Sequence, residues 1–210
     1  MNFLKIKLIV IAVIMFAASS AFAALGYDVT VNTSSLINQE GYLYFQYTPV
    51  NAVDSTVTLS NFKMDGSGLH AIPTSQSSSV TGHLFSSVTF ANAPTELNDY
   101  NHGVNGFSND IKFHLEFASN SLGAPAGGSS TFSLGLFRDV NGQTPLFNVS
   151  GINYSVPGTL FTIDLNNDGT TAFQTLANEA TVTPTPIPAA AWLLGSGLMG
   201  LVGIRRKMVL

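Results

Sequence analysis

The chain has no cysteine. That excludes disulfides, thiolate metal sites and cysteine nucleophiles. A fold without them must rest on its apolar core or on bound ions. Charge is scarce too: only 10% of the residues are Asp, Glu, Lys or Arg. The basic ones are placed unevenly. Lys5, Lys7, Arg205, Arg206 and Lys207 lie in the end segments, which leaves only Lys63, Lys112 and Arg138 between them. All twelve acidic residues fall between Asp28 and Glu179, so the middle sets three positive charges against twelve negative, a net −9 against −4 for the whole chain. A surface that acidic disfavours nucleic acid and other polyanions as partners. It suits solubility, divalent cations or neutral glycans.

Long apolar runs are absent from the middle and present at both ends. The start, "MNFLKIKLIVIAVIMFAASSAFAALGYD", sets Lys5 and Lys7 before an apolar run from Leu8 to about Ala18. Ala21-Phe22-Ala23 follows. This is the layout of a secretory signal peptide over 1–23, cut by signal peptidase near Ala23 and Ala24. The run is short for a membrane span. Removing both ends leaves about 160 residues, enough for one domain with a real core.

In that domain, expected over 24–180, strand patterns dominate. In "IKFHLEF" the residues Ile111, Phe113, Leu115 and Phe117 alternate with Lys112, His114 and Glu116, a period of two with one face buried. "YLYFQYT" puts Leu43, Phe45 and Tyr47 on one face and Tyr42 and Tyr44 on the other. "TVTLSNF", "YDVTVN", "LFSSVTF", "TFSLGLF", "TLFTIDL" and "EATVT" are further strands, rich in the β-branched and aromatic residues that a pleated surface favours. "MDGSGLHAIPTSQSSSVTG" and "NSLGAPAGGSS" read as polar loops, and "VNGQ" and "NNDGT" carry the Asn-Gly and Asp-Gly of tight hairpins. No window shows a sustained helical period. Eight to ten antiparallel strands predict an all-β sandwich of the jelly-roll kind.

The end of the chain is organised differently. "TVTPTPIP" (181–188) carries three alternate prolines and reads as an extended linker. From Ile187 to Ile204 no residue is charged, and that length spans a thin bilayer or crosses it tilted. Trp192 sits where an interfacial aromatic belongs, and Arg205, Arg206 and Lys207 place the basic tail (205–210) in the cytoplasm and the domain outside. "GSGLMG" matches G-x-G-x-x-G but lacks the strand and βαβ unit of a dinucleotide site. Ser196 and Gly200 instead suit a small-xxx-small helix contact.

Proline motif, glycine-rich apolar helix and basic cluster in "PIPAAAWLLGSGLMGLVGIRRK" closely resemble the PEP-CTERM sorting signal of exported proteins in Gram-negative bacteria that make exopolysaccharide. The departure is Ile187, where the family name implies Glu. The resemblance implies an exosortase that cuts near Pro186, Ile187 and Pro188 after transient anchoring in the inner membrane. The domain is also similar to an uncharacterised group of PEP-CTERM proteins, through "VTVNTSSL", "GYLYFQYTP", "TVTLSNF", "LNDY" and "FTIDLNNDGT". That group supplies no reaction to carry over.

Chemistry is sparse. Asp164, Asn166 and Asp168 have the D-x-N-x-D-G spacing of a calcium loop, but Thr175 stands where a bidentate Glu belongs. A plain hairpin accounts for the same residues. Glu96, Asp99 and His102 group a histidine with carboxylates, as an acid/base pair or a turn network. No H-E-x-x-H, G-x-S-x-G or nominated carboxylate pair is present, so no catalytic residue is assigned and no enzyme is expected. Tyr42 and Tyr44 offer two rings on one face, to stack on sugars or to pack under a loop. The expectation is an exported structural or adhesive protein of the cell surface or extracellular matrix. A carbohydrate-binding module for exopolysaccharide is the alternative, and a glycoside hydrolase a more distant third.

Overall fold

The computed structural model describes residues 25–48, 55–65, 68–92, 97–119, 129–147, 157–166 and 169–185. Twelve strands are formed: β1 (Leu25–Asn32), β2 (Gly41–Thr48), β3 (Ser55–Met64), β4 (Ser75–Gln76), β5 (Val80–Gly82), β6 (Ser87–Ala91), β7 (Asn98–Val104), β8 (Asp110–Ser119), β9 (Ser130–Phe137), β10 (Thr159–Leu165), β11 (Thr171–Thr175) and β12 (Ala180–Thr185). Among the described residues the only helix is one 3-10 turn, Ser34–Leu36, and none is long and apolar enough to cross a membrane. The expected signal residues Ala21, Ala23 and Ala24 lie outside the described residues. So do the expected sorting residues Pro186, Ile187, Pro188, Trp192, Arg205, Arg206 and Lys207.

The strands form two sheets of six. Sheet 1 runs β12-β1-β8-β3-β6-β5 and sheet 2 runs β11-β10-β9-β2-β7-β4, with every ladder antiparallel. The period-two patterns decide which face of each strand turns inward. On β2, Leu43, Phe45 and Tyr47 are buried while Tyr42, Tyr44 and Gln46 face out half-covered. On β8, Ile111, Phe113, Leu115 and Phe117 are buried against the same core. Rings lock the sheets face to face: Phe45 of sheet 2 meets Phe113 of sheet 1 edge-on, with centroids 5.7 Å apart at 84°. Phe117 of β8 meets Phe132 of β9 likewise, at 6.4 Å and 88°. Edge-to-face pairs place a positive ring edge on a negative ring face and add to the burial energy. The result is an all-β sandwich.

A polar network closes one end of that core. Tyr47 and Ser55 share a hydrogen bond of 2.6 Å between hydroxyls. The Asn92 amide donates to Ser55 Oγ (3.3 Å) and Ser130 Oγ (3.1 Å), and Asn98 Nδ2 donates to the Tyr47 carbonyl (2.9 Å). Strands from both sheets meet there, so these hydroxyls and amides bond across the interface rather than within one strand.

Three expectations need correction. "TVTPTP" is not all linker: Thr181 to Thr185 belong to β12, paired with β1. Alternation of Thr with Val182 buries one face there, and Pro184 is tolerated because β12 is an edge strand that needs no N–H on its open side. The long polar stretch from Met64 to Gly82 holds β4 and β5. The segment carrying Asp99 and His102, whose polar residues suggested a turn network, is strand β7. Its inward positions Asn98 and His102 are polar, which hides the alternation.

Candidate functional site

The outer face of sheet 2 gathers the polar and aromatic groups that the sequence scatters. β2 lies between β7 and β9, and its register fixes the neighbours. Tyr42 stands opposite Gly103 and Phe137, Tyr44 opposite Asn101 and Gly135, and Gln46 opposite Asp99 and Ser133. Cross-strand partners are close enough for their side chains to interact directly. The two glycines matter by their lack of side chain. The His70 ring lies over Gly103, and the Phe137 ring lies over Gly135. A Cβ at either site meets a ring.

Tyr44 and Tyr42 differ. Tyr44 packs edge-on against Phe137, centroids 5.0 Å apart at 69°. Its hydroxyl donates to the Val140 carbonyl, and Gly142 rests on its ring. Burial, then the nearby Asp139, Tyr42 and Asp99 charges, push its hydroxyl pKa up, so it stays a donor. The loop over it is held by Asp139, whose carboxylate accepts the N–H groups of Asn141, Gln143 and Thr144. Partial desolvation pulls the other way, but these bonds hold the Asp139 carboxyl below the usual carboxylate range. Tyr44 therefore packs under a loop, one of the two roles its position allowed. Tyr42 makes no hydrogen bond or ring contact among the described residues.

Asp99 and Asn101 follow on β7, two residues apart on that face. Burial raises the Asp99 pKa, opposed by a hydrogen bond from Gln46. Asn101 donates to Ser75 Oγ (2.9 Å). The Oδ1 atoms of both residues are buried and accept no hydrogen bond.

His102, grouped with Asp99 in the sequence, is separated from it by the strand's pleat: Asp99 faces out and His102 faces in, 1% exposed. Its Nε2–H donates to the His70 carbonyl at 2.8 Å, which leaves Nδ1 to accept from the Tyr100 hydroxyl at 3.2 Å. Tyr100 in turn accepts from the Leu84 N–H at 3.4 Å. Burial lowers the His102 pKa, and the neighbouring His70 lowers it further against the bond to the His70 carbonyl. This is a buried structural histidine. Glu96 lies outside the described residues.

The calcium spacing resolves into separate contacts. Asp164 accepts from Thr131 Oγ1 at 2.5 Å. Asn166 Nδ2 donates to Thr170 Oγ1 at 3.0 Å, and the backbone closes a turn between β10 and β11. Gly169 adopts a φ of +80° there. Asp168 lies outside the described residues, and the described His, Asp and Glu side chains form no cluster of three able to hold a metal. Sequence reasoning named Tyr42 and Tyr44 but missed Gln46, Asn101, His70 and Phe137 as their neighbours, because cross-strand register is not written in local spacing.

No family model, curated protein or solved structure matches this chain.

Proposed function

We propose that this protein is exported, held briefly at the inner membrane by its C-terminal apolar segment, and processed there by an exosortase. It is then deployed as a structural or adhesive component of the cell surface or extracellular matrix. The observation that carries this reading is the order of Pro184–Lys207: alternate prolines, an uncharged apolar run, then three cations. The cysteine-free sandwich supports it, since its core stands without disulfides in any redox compartment.

Within this reading the sandwich is a jelly roll. What favours that description is the strand order β1-β8-β3-β6 in one sheet against β2-β7-β4 in the other, with β1, β2, β3 and β4 alternating between the sheets, as two intertwined Greek keys do.

The test is fractionation of cells expressing a tagged chain, followed by intact-mass measurement. The expected mature species is outside the cytoplasm, begins near Ala24 and lacks Arg205–Lys207. A mature species that keeps its basic tail, or one found in the cytosol, overturns the proposal.

A further inference from the structure

We propose that a second copy of this chain adds to sheet 2 at the free edge of β11, strand against strand about a twofold axis through Phe173. The proposal does not depend on how the chain is exported, because it rests on the edge alone. The sandwich closes one side and leaves the other open. On the closed side the edge strands β4 and β5 have two and three residues. The short link between them crosses from sheet 2 to sheet 1, and Gln76 Nε2 donates to the Val80 carbonyl across it at 2.6 Å. On the open side the edges are β12 and β11. β12 carries Pro184, which has no N–H to offer a further strand. β11, "TAFQT", has no charge and no proline, the devices that blunt an edge.

The backbone of β11 is turned the right way. The Asn166 N–H donates to the Thr170 carbonyl, and the Leu176 N–H donates to the Leu160 carbonyl. The register between β10 and β11 runs unbroken between those bonds. Bonded pairs alternate in an antiparallel ladder, so Ala172 and Gln174 bond to β10. The N–H and C=O groups of Thr171, Phe173 and Thr175 point away from it, toward the open edge.

Self-complementarity selects the partner. About an axis through Phe173, Thr171 faces Thr175 of the second copy, Thr175 faces its Thr171, and the two Phe173 residues face each other. The outward-pointing groups then pair off along the whole strand. Thr–Thr and aromatic pairs are favourable across strands. No like charges face each other, although each domain carries a net −9 (three basic against twelve acidic residues). Phe173 is 44% exposed, and among the described residues it is the one exposed large apolar side chain that lies in a strand. It stands opposite Ile163 and meets the Tyr27 ring of sheet 1 edge-on, centroids 5.9 Å apart at 67°. Its exposed part would be covered by the same ring of the second copy, so the core continues across the axis. The contact uses one patch on both subunits and closes as a dimer. A basic peptide would be drawn by the net charge, but β11 itself offers it no carboxylate.

The lack of cysteine makes the register testable. In the dimer Ala172 stands opposite Gln174 of the second copy as a non-hydrogen-bonded pair, with Cα atoms about 4.5 Å apart, within disulfide range. Full chains carrying Ala172→Cys or Gln174→Cys are purified in mild detergent, mixed and oxidised. The mixture is expected to give several-fold more cross-linked dimer than either variant alone. Gly200→Leu, which disrupts the small-xxx-small contact of the tail, leaves that yield unchanged. Ala172→Lys/Gln174→Lys sets Lys opposite Lys twice in the dimer and should weaken association about tenfold or more. Thr81→Lys/Ala91→Lys, on the closed side, adds the same charge and leaves association unchanged. Melting curves confirm that each variant is folded. Salt should strengthen the pairing by screening two acidic domains from each other. The proposal is overturned if the mixture cross-links no better than the single variants, if the folded Ala172→Lys/Gln174→Lys chain associates like the wild type, or if salt dissociates the dimer. A wild-type chain that stays monomeric at every concentration also overturns it, as it would if another protein or the chain's own tail covered the edge.

Discussion

Phe90 of β6 and Phe132 of β9 meet edge to face across the sandwich, centroids 5.5 Å apart at 83°. Phe132 also contacts Phe45, Phe117 and Phe161, so one fully buried ring touches rings from four strands in both sheets. Phe132→Ala removes all of these contacts and leaves a cavity that rigid sheets cannot close. A loss of about 3–5 kcal/mol is expected, read from the midpoint of urea unfolding. A loss under about 1 kcal/mol would show that the sheets are not packed as described.

Tyr47→Phe tests the polar closure. The ring and its burial survive, but Ser55 loses its 2.6 Å partner inside the protein. We expect a cost of about 1–2 kcal/mol. In a double-mutant cycle with Ser55→Ala, the two losses should fall short of additive. Additive losses would mean that the hydroxyls do not interact.

His102 sets a pH dependence. Its folded pKa is lowered from 6.5, so the unfolded chain binds the proton first. The contribution is complete above pH 6.5 and declines as pH falls through 6.5 toward the folded value. Protonation also strips Nδ1 of its role as acceptor for Tyr100. Its charged or titratable neighbours are His70 and Tyr100. Thermal melts should drop as pH falls below 6.5, and His102→Phe should flatten that part of the profile while lowering its plateau. An unchanged slope in the variant would assign the pH dependence to other groups.

Asp99 acts with the opposite sign. Its folded pKa is raised above 3.8, chiefly by burial, so its contribution is present below pH 3.8 and is lost as pH rises through the folded value. At neutral pH the fold therefore carries a partly desolvated carboxylate. Asp99→Asn keeps the shape and removes the charge. It should raise the melting temperature at pH 7 and lose that advantage below pH 3.8. A variant less stable than wild type at pH 7 would show that the charge is compensated.

Much of the sandwich was legible because burial alternates locally. Ile111, Phe113, Leu115 and Phe117 announce β8 in seven consecutive letters, and "YLYFQYT" sorts its own residues onto two faces. The hairpin at Asn166–Thr170 was legible from its turn residues. β7 was not, because Asn98 and His102 occupy inward positions and are satisfied only by Tyr47, Tyr100 and His70, which other parts of the fold deliver. β4 and β5 were missed because two or three residues carry no period at all.

By itself, then, the chain's order of residues determined an all-β middle, the inward face of each clear strand, and a plan with apolar segments at both ends. Those are properties of neighbours along the backbone, where a period of two or a run of uncharged side chains suffices. Tertiary structure alone decided that Tyr42 and Gln46 share the outer face of sheet 2 with Asp99 and Asn101, that Tyr44 lies under the Asp139 loop, and that Asp99 and His102 stand on opposite sides of a sheet. The physical reason is register: cross-strand pairing joins residues dozens of positions apart, and a shift of one residue would turn every one of these side chains to the other face.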